Sequence, residues 1–239
     1  MASVQGQEHE NSNGSKQVQI IGGDLAMVPS LNINKDSFTK IEDVFFKHSV
    51  GGKSIVEETE VMVKYDEDFI EIRFECRNNP RIEQNFYTED NSDMYNQEVF
   101  EVFISHGEEA SEKYFEIELN PNAALFLAKI FNGFNSDKQF KFELIDIKSS
   151  GIEHFVEKDL LNEIWRGHIK IPLELFNIDD LPSNNIFRLN FYRIISKVDQ
   201  QATDWKVDEH NATFSCWSST MTEKPQFHAP ERFGFLILD

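Results

Sequence analysis

Short runs of alternating apolar and polar residues, each closed by a turn signal, succeed one another from about residue 17 to the C-terminus. "ETEVMVKYDEDFIEIRFECR" places Val61, Val63 and Tyr65 on one face, turns at Asp66-Glu67-Asp68, and resumes with Ile70, Ile72, Phe74 and Cys76 in alternation. A period of two sends successive side chains to opposite sides of a pleated strand, so this is a hairpin with one buried face. Similar runs follow at "EVFEVFI", "KYFEIELN", "AALFLAKIF", "QFKFELIDI", "IWRGHIKI", "FRLNFYRII", "TFSCW" and "FGFLIL". Their spacing favours an all-β sandwich of antiparallel sheets over βαβ units. Only "KIEDVFFKHS" and "PLELFN" suggest helix, near Ile41 to Lys47 and Leu173 to Asn177, and helix should stay below about a tenth of the chain. The 22 Phe supply most of the core.

Composition removes several function classes. Of the 239 residues, 23 are Lys or Arg and 42 are Asp or Glu, a net charge of −19. Such a surface repels phosphate backbones and anionic membranes, so we expect no nucleic acid and no membrane partner. It is compatible with neutral ligands such as sugars, and with Ca²⁺, for which the loops "DEDF" and "TEDNSD" offer oxygens. Cys76 and Cys216 are the two cysteines, too few for a disulfide framework, and both sit in apolar runs as buried free thiols. Residues 1–16 read as a disordered polar tail and 17–239 as a single domain. The tail lacks the apolar stretch of a signal peptide, so the chain as written is expected in the cytoplasm, or outside the cell if its start has been trimmed. Asn13 and Asn211 would accept glycans only in the second case. The sequence does not specify an oligomeric state.

Catalytic signatures are absent: there is no GxSxG elbow, HExxH, P-loop or GxGxxG after a strand. His106, His154, His168 and His228 have no second ligand at metal spacing. Glu98, Glu101, Glu116 and Glu118 could face one another across strands and supply a pair for glycoside hydrolysis, although no spacing selects the pair. The strand "MYNQEVFEVFI" breaks the pattern, because it carries Glu98 and Glu101 among apolar neighbours. Three positions apart, they must point to opposite faces.

This strand, with "YFEIELNP" at Tyr114 to Pro121, "FRLNFYRI" at Phe187 to Ile194 and "CWSSTMTEKPQFHAPERFGFLIL" at Cys216 to Leu238, resembles in order and spacing the family 9 carbohydrate-binding modules and their DOMON-like relatives. The resemblance runs from about Leu31, at "LNINKDSFTKIEDVFF", to the C-terminus and implies a jelly-roll sandwich. It further implies non-catalytic binding of a glycan or small saccharide between two aromatic rings. The apolar face of a pyranose stacks on such rings while polar side chains orient its hydroxyls. On that reading the ligand-binding residues are Tyr95, Glu98, Glu101, Phe227 and His228. Tyr95 and Phe227 form an exposed pair about 7 Å apart, twice a dispersion contact distance. Glu101 should then meet Arg188, Arg193 or Arg232, and Arg232 should pair with a carboxylate. The pattern departs from the sugar-binding members in having Tyr and Phe for two Trp, and Glu116 for an Arg. Some DOMON-like relatives bind haem instead, for which Met94 and His228 are the candidate axial ligands. Trp217 reads as core.

Overall fold

The structure is a computed structural model that describes residues 28–41, 46–132, 140–177, 185–200 and 205–239. The expected tail and residues 42–45 of the first expected helix lie outside this set. In chain order the strands are β1 (Ser30–Ile33), β2 (Thr39–Lys40), β3 (Lys47–His48), β4 (Thr59–Tyr65), β5 (Phe69–Cys76), β6 (Val99–His106) and β7 (Lys113–Leu119). They continue with β8 (Leu125–Phe131), β9 (Lys141–Leu144), β10 (Glu153–Asp159), β11 (Ile164–Pro172), β12 (Ile186–Ser196), β13 (Ala212–Cys216) and β14 (Gly234–Leu238). Among the described residues strands hold 47% and helix 11%, against an expected tenth. Among the described residues helix comes only as short turns. Leu173–Phe176 falls where "PLELFN" placed it, but others stand where none was expected, at Ile82–Gln84, Met94–Asn96, Ile147–Ser150, Leu160–Asn162 and Pro230–Arg232, and Lys47 of the first expected helix is in β3.

Two sheets form the sandwich. The larger has nine strands in the order β1-β14-β12-β6-β7-β8-β9, with β13 on β12 and β3 on β13; the smaller has five, β10-β11-β5-β4-β2. The β4–β5 hairpin turns at Asp66, whose carboxylate accepts from the amides of Asp68 and Phe69, both at 2.8 Å. One pair departs from the expected antiparallel arrangement: β1 lies parallel to β14, which only strands distant in sequence can do without a crossover helix.

Between the sheets, Phe74 of β5 stacks on Phe100 of β6 with ring centroids 3.7 Å apart, and Trp165 of β11 meets Phe74 edge-on at 5.0 Å. A Cβ on Gly167 would come within 2.1 Å of the Phe74 ring, so only glycine allows that ring its place. Trp217 is buried against Phe191, as expected, and both cysteines are buried free thiols.

The outer face of the smaller sheet is a solvated charge ladder, with Lys64 and His168 on Glu71 and Lys170 on Glu153. The larger sheet behaves differently. Val99 to Ser105 of β6 and Phe187 to Ser196 of β12 are buried without interruption, so the sheet has a core on each face. The second core gathers Met94, Val99, Phe103, Tyr114, Phe126, Tyr192, Phe227 and Phe233, under the segments that precede β6 and β14. That double burial is why "MYNQEVFEVFI" does not alternate.

Candidate functional site

Glu98, just before β6, and Glu101, within it, part company. Glu98 faces the inter-sheet core, where it accepts hydrogen bonds from Asn79 Nδ2 (2.6 Å), Trp165 Nε1 (2.8 Å) and Arg193 Nε (2.8 Å). Arg193, fully buried, also donates to the backbone oxygens of Glu58 and Arg77. Burial pushes the Glu98 carboxyl up while Arg193, Trp165 and Asn79 pull it back; three donors on one carboxyl group favour the charged form. The placement corrects the expectation of Glu98 as a ligand-binding residue: it pins the sheets together and cannot reach the face where Glu101 lies.

Glu101 faces the second core. It stands opposite Glu118 in the β6–β7 register and next to Glu116, which is opposite Phe103. One ligand oxygen from each of Glu101, Glu116 and Glu118 lies within 4.8 Å of the others. They are 2%, 8% and 0% exposed. Burial raises all three carboxyls. Glu116 adds to the rise at Glu101, and Glu101 with Glu116 adds to it at Glu118. Glu116 itself is pushed up to about 7. Ionised, Glu101 Oε1 and both oxygens of Glu118 face no hydrogen-bond donor. Glu116 and Glu118 can bond to each other only through a shared proton.

The three arginines expected to hold Glu101 serve other groups. Arg193 holds Glu98; Arg188 donates to the carbonyls of Phe233 (2.6 Å) and Glu108 (3.3 Å); and Arg232 Nε donates to Ser219 O (3.0 Å). Three of the four candidate hydrolytic carboxylates do converge, Glu98 excepted. All three are buried.

Tyr95 lies in the turn Met94–Asn96 that leads into β6. It is 40% exposed, and burial together with Asp93 raises its hydroxyl to about 12, with Glu118 contributing. Phe227 is only 8% exposed, stacked on Tyr192 at 4.2 Å and 17° and edge-on to Phe214 at 5.8 Å. The expected pair of exposed rings is therefore corrected at Phe227, whose ring is core. His228 is half-buried: Tyr114 Oη lies 2.7 Å from its Nδ1, and Phe140 packs on its ring at 4.4 Å. Desolvation lowers its pKa to about 4. Met94 is fully buried in the second core.

In the acidic loops some oxygens are engaged by backbone donors, as at Asp66. Asp90 Oδ1 and Asn91 Oδ1 each accept at 2.9 Å, from Leu125 N and Leu127 N of β8. Asn120 Nδ2 in turn donates to Tyr87 O (2.9 Å), fixing the segment that carries Tyr95.

Trp205 was not singled out from the sequence. It is partly exposed; five residues before it Gln200 bonds to Gln97, and two residues after it Val207 packs on the second core. The available signal was a Trp inside the polar stretch "TDWKVDEH", where no core position is expected. A separate groove of about 420 Å³, lined by Met62, Arg73, Phe155 and Arg166, crosses the outer face of the smaller sheet.

The profile of carbohydrate-binding family 9 matches residues 27–238, and the chain belongs to that family. A protein of Arthroderma benhamiae named an extracellular protein is 26% identical over 200 residues, 80% of this chain and 83% of that one. Among solved structures, a proposed carbohydrate-binding protein from Bacteroides uniformis superposes with a TM-score of 0.64 at 16% identity, covering 89% of this chain and all of the other. That likeness establishes the fold. A family 9 module from Caldicellulosiruptor kristjanssonii in complex with glucose gives a TM-score of 0.49 at 13% identity over 88% of this chain and 95% of that one.

Proposed function

We propose that this protein is a non-catalytic carbohydrate-binding domain that takes a saccharide on the outer side of the larger sheet, at the start of β6. The observation that carries the reading is Tyr95, an exposed ring beside the buried Glu118 in a chain of family 9. A pyranose laid on that ring gains dispersion contact over its C–H face, while the hydroxyls of the sugar find acceptors at the rim. Trp205 is the second ring in this proposal, in place of Phe227, because it is partly exposed and lies in the chain between Gln200, which bonds to Gln97, and Val207, which packs on the second core. The extracellular relative supports the same location for this protein, which detection of the native protein in culture supernatant would test.

The test is a glycan array followed by calorimetry with the best mono- or disaccharide. Binding at millimolar sugar or tighter that is lost in Tyr95→Ala supports the proposal. No binding across the array, or binding that Tyr95→Ala leaves intact, rejects it.

A further inference from the structure

We infer that β9, the outermost strand of the larger sheet, is a self-association site at which a second copy of this chain adds its own β9 antiparallel, with Phe142 facing Phe142. Among the described residues β9 pairs on one side only, with β8. The neighbouring part of that edge is closed, because the amides of Leu125 and Leu127 in β8 donate to Asp90 and Asn91. At β9 it is open, and Phe140, Phe142 and Leu144 are each about half exposed. The register sets Phe142 opposite Ile130 and Leu144 opposite Ala128, two residues of the second core, so the apolar side of β9 carries that core out to the rim of the sheet. There Phe140 packs on His228 at 4.4 Å and Phe142 lies 6.5 Å from Phe126. An open hollow of about 540 Å³ borders the strand at Phe131, Phe140, Lys141, Phe142 and Glu143. An uncovered apolar edge is a template for strand addition, which soluble proteins ordinarily blunt with charge, proline or a bulge.

The hydrogen-bond pattern and the sequence of the strand select the occupant. Ile145 N donates to Leu127 O, so the odd-numbered residues of β9 direct their backbone groups at β8, and those of Phe142 and Leu144 point outward from the sheet. A second β9 laid antiparallel with Phe142 on Phe142 exchanges these outward groups as hydrogen-bonded pairs, Phe142 with Phe142 and Phe140 with Leu144. The same register sets Lys141 of each copy across from Glu143 of the other, which gives two opposite-charge pairs on one face while the apolar side chains meet on the other. The stretch "FKFEL" is thus complementary to its own reverse, which favours a second copy over an unrelated strand. A slip of one residue would set outward backbone groups against inward ones and phenylalanines against charges. The contact closes about a two-fold axis normal to the sheet, so both open edges are consumed and the two larger sheets turn the same face in one direction. Both Tyr95 rings then lie on one side of the pair. Phe140 to Leu144 is far shorter than the roughly 20–30 residues a side of a stable interface, so monomer and dimer should exchange.

Sedimentation equilibrium of the full chain over a micromolar to near-millimolar series tests the site, in physiological salt, which screens the −19 charge of each copy beyond roughly 8 Å. The mass should rise with concentration from 27.8 kDa towards twice that value. Phe142→Pro removes an outward amide and leaves the β8 pairing whole, so it should hold the chain monomeric with an unchanged circular dichroism spectrum. Lys141→Glu and Glu143→Lys should each associate at least tenfold more weakly alone and regain association when mixed, because mixing again sets opposite charges across the seam. A mass that stays at 27.8 kDa throughout overturns the inference. So does a dimer that Phe142→Pro leaves intact, which would place the contact elsewhere, and so does a mixture of the two charge variants that associates no better than either alone. If Phe142→Pro fails to fold, the charge variants decide. None of these results depends on whether a saccharide binds.

Discussion

Replacing Phe227 by Ala separates a core ring from a ligand clamp. The ring is 8% exposed, lies 4.2 Å from Tyr192 and meets Phe214 at 5.8 Å, while its own carbonyl accepts from Tyr192 Oη at 2.8 Å. Removing a buried phenyl group costs about 3–5 kcal/mol, because the lost transfer energy is joined by the cavity that a pinned sheet cannot close. In a domain of this size each kcal/mol moves the thermal midpoint by roughly 2–4 °C, so the loss should be on the order of 6–20 °C. Tyr95→Ala removes a partly exposed ring and should change stability by less than about 1 kcal/mol. Urea unfolding followed by circular dichroism measures both. If Phe227→Ala proves as stable as the parent and yet no longer binds sugar, the ring is a clamp and the core assignment is wrong.

Glu98→Gln leaves the Arg193 guanidinium buried without its carboxylate, and should cost about 3–5 kcal/mol in the same urea assay; a loss below 1 kcal/mol would mean that the pair does not hold the sheets. His228 gives a pH dependence. Its folded pKa of about 4 lies below the ordinary 6.5, so between these values the unfolded chain takes up a proton that the folded chain does not. Stability is therefore lost as pH falls from about 6.5 towards 4, by at most about 1.4 kcal/mol per pH unit from this residue. The raised carboxyls of Glu101, Glu116 and Glu118 act in the opposite sense over this range, so the His228 contribution is read as the difference between the parent and His228→Asn urea midpoints at pH 7, 6 and 5. The parent should lose ground to the variant as pH falls, and an unchanged difference would place the histidine in water. Gly167→Ala drives a methyl group into Phe74 and should destabilise strongly, which a thermal melt within a degree of the parent would contradict.

The sandwich was legible because hairpins such as β4–β5 write their period of two directly into the sequence. Opposite faces for Glu98 and Glu101 followed from the same period, and the structure agrees. The partners of each glutamate were not legible, since they depend on which strands become neighbours. Arg193 and Trp165 reach Glu98 from two different sheets, and Glu118 meets Glu101 only through the β6–β7 register. Phe227 was placed at the rim because it lies in the loop before the last strand. The second core, which buries it, forms only when that loop folds over the larger sheet. Trp205 stood in a polar stretch with no repeat to flag it.

The most direct test of the account is a titration of ¹⁵N-labelled protein with the best saccharide from the array, followed by chemical-shift mapping. The account predicts the largest shifts at Tyr95, Gln97 and the Trp205 indole, with the smaller sheet silent. Shifts centred on Phe155 and Arg166 in the groove of the smaller sheet, or none at millimolar sugar, would contradict it.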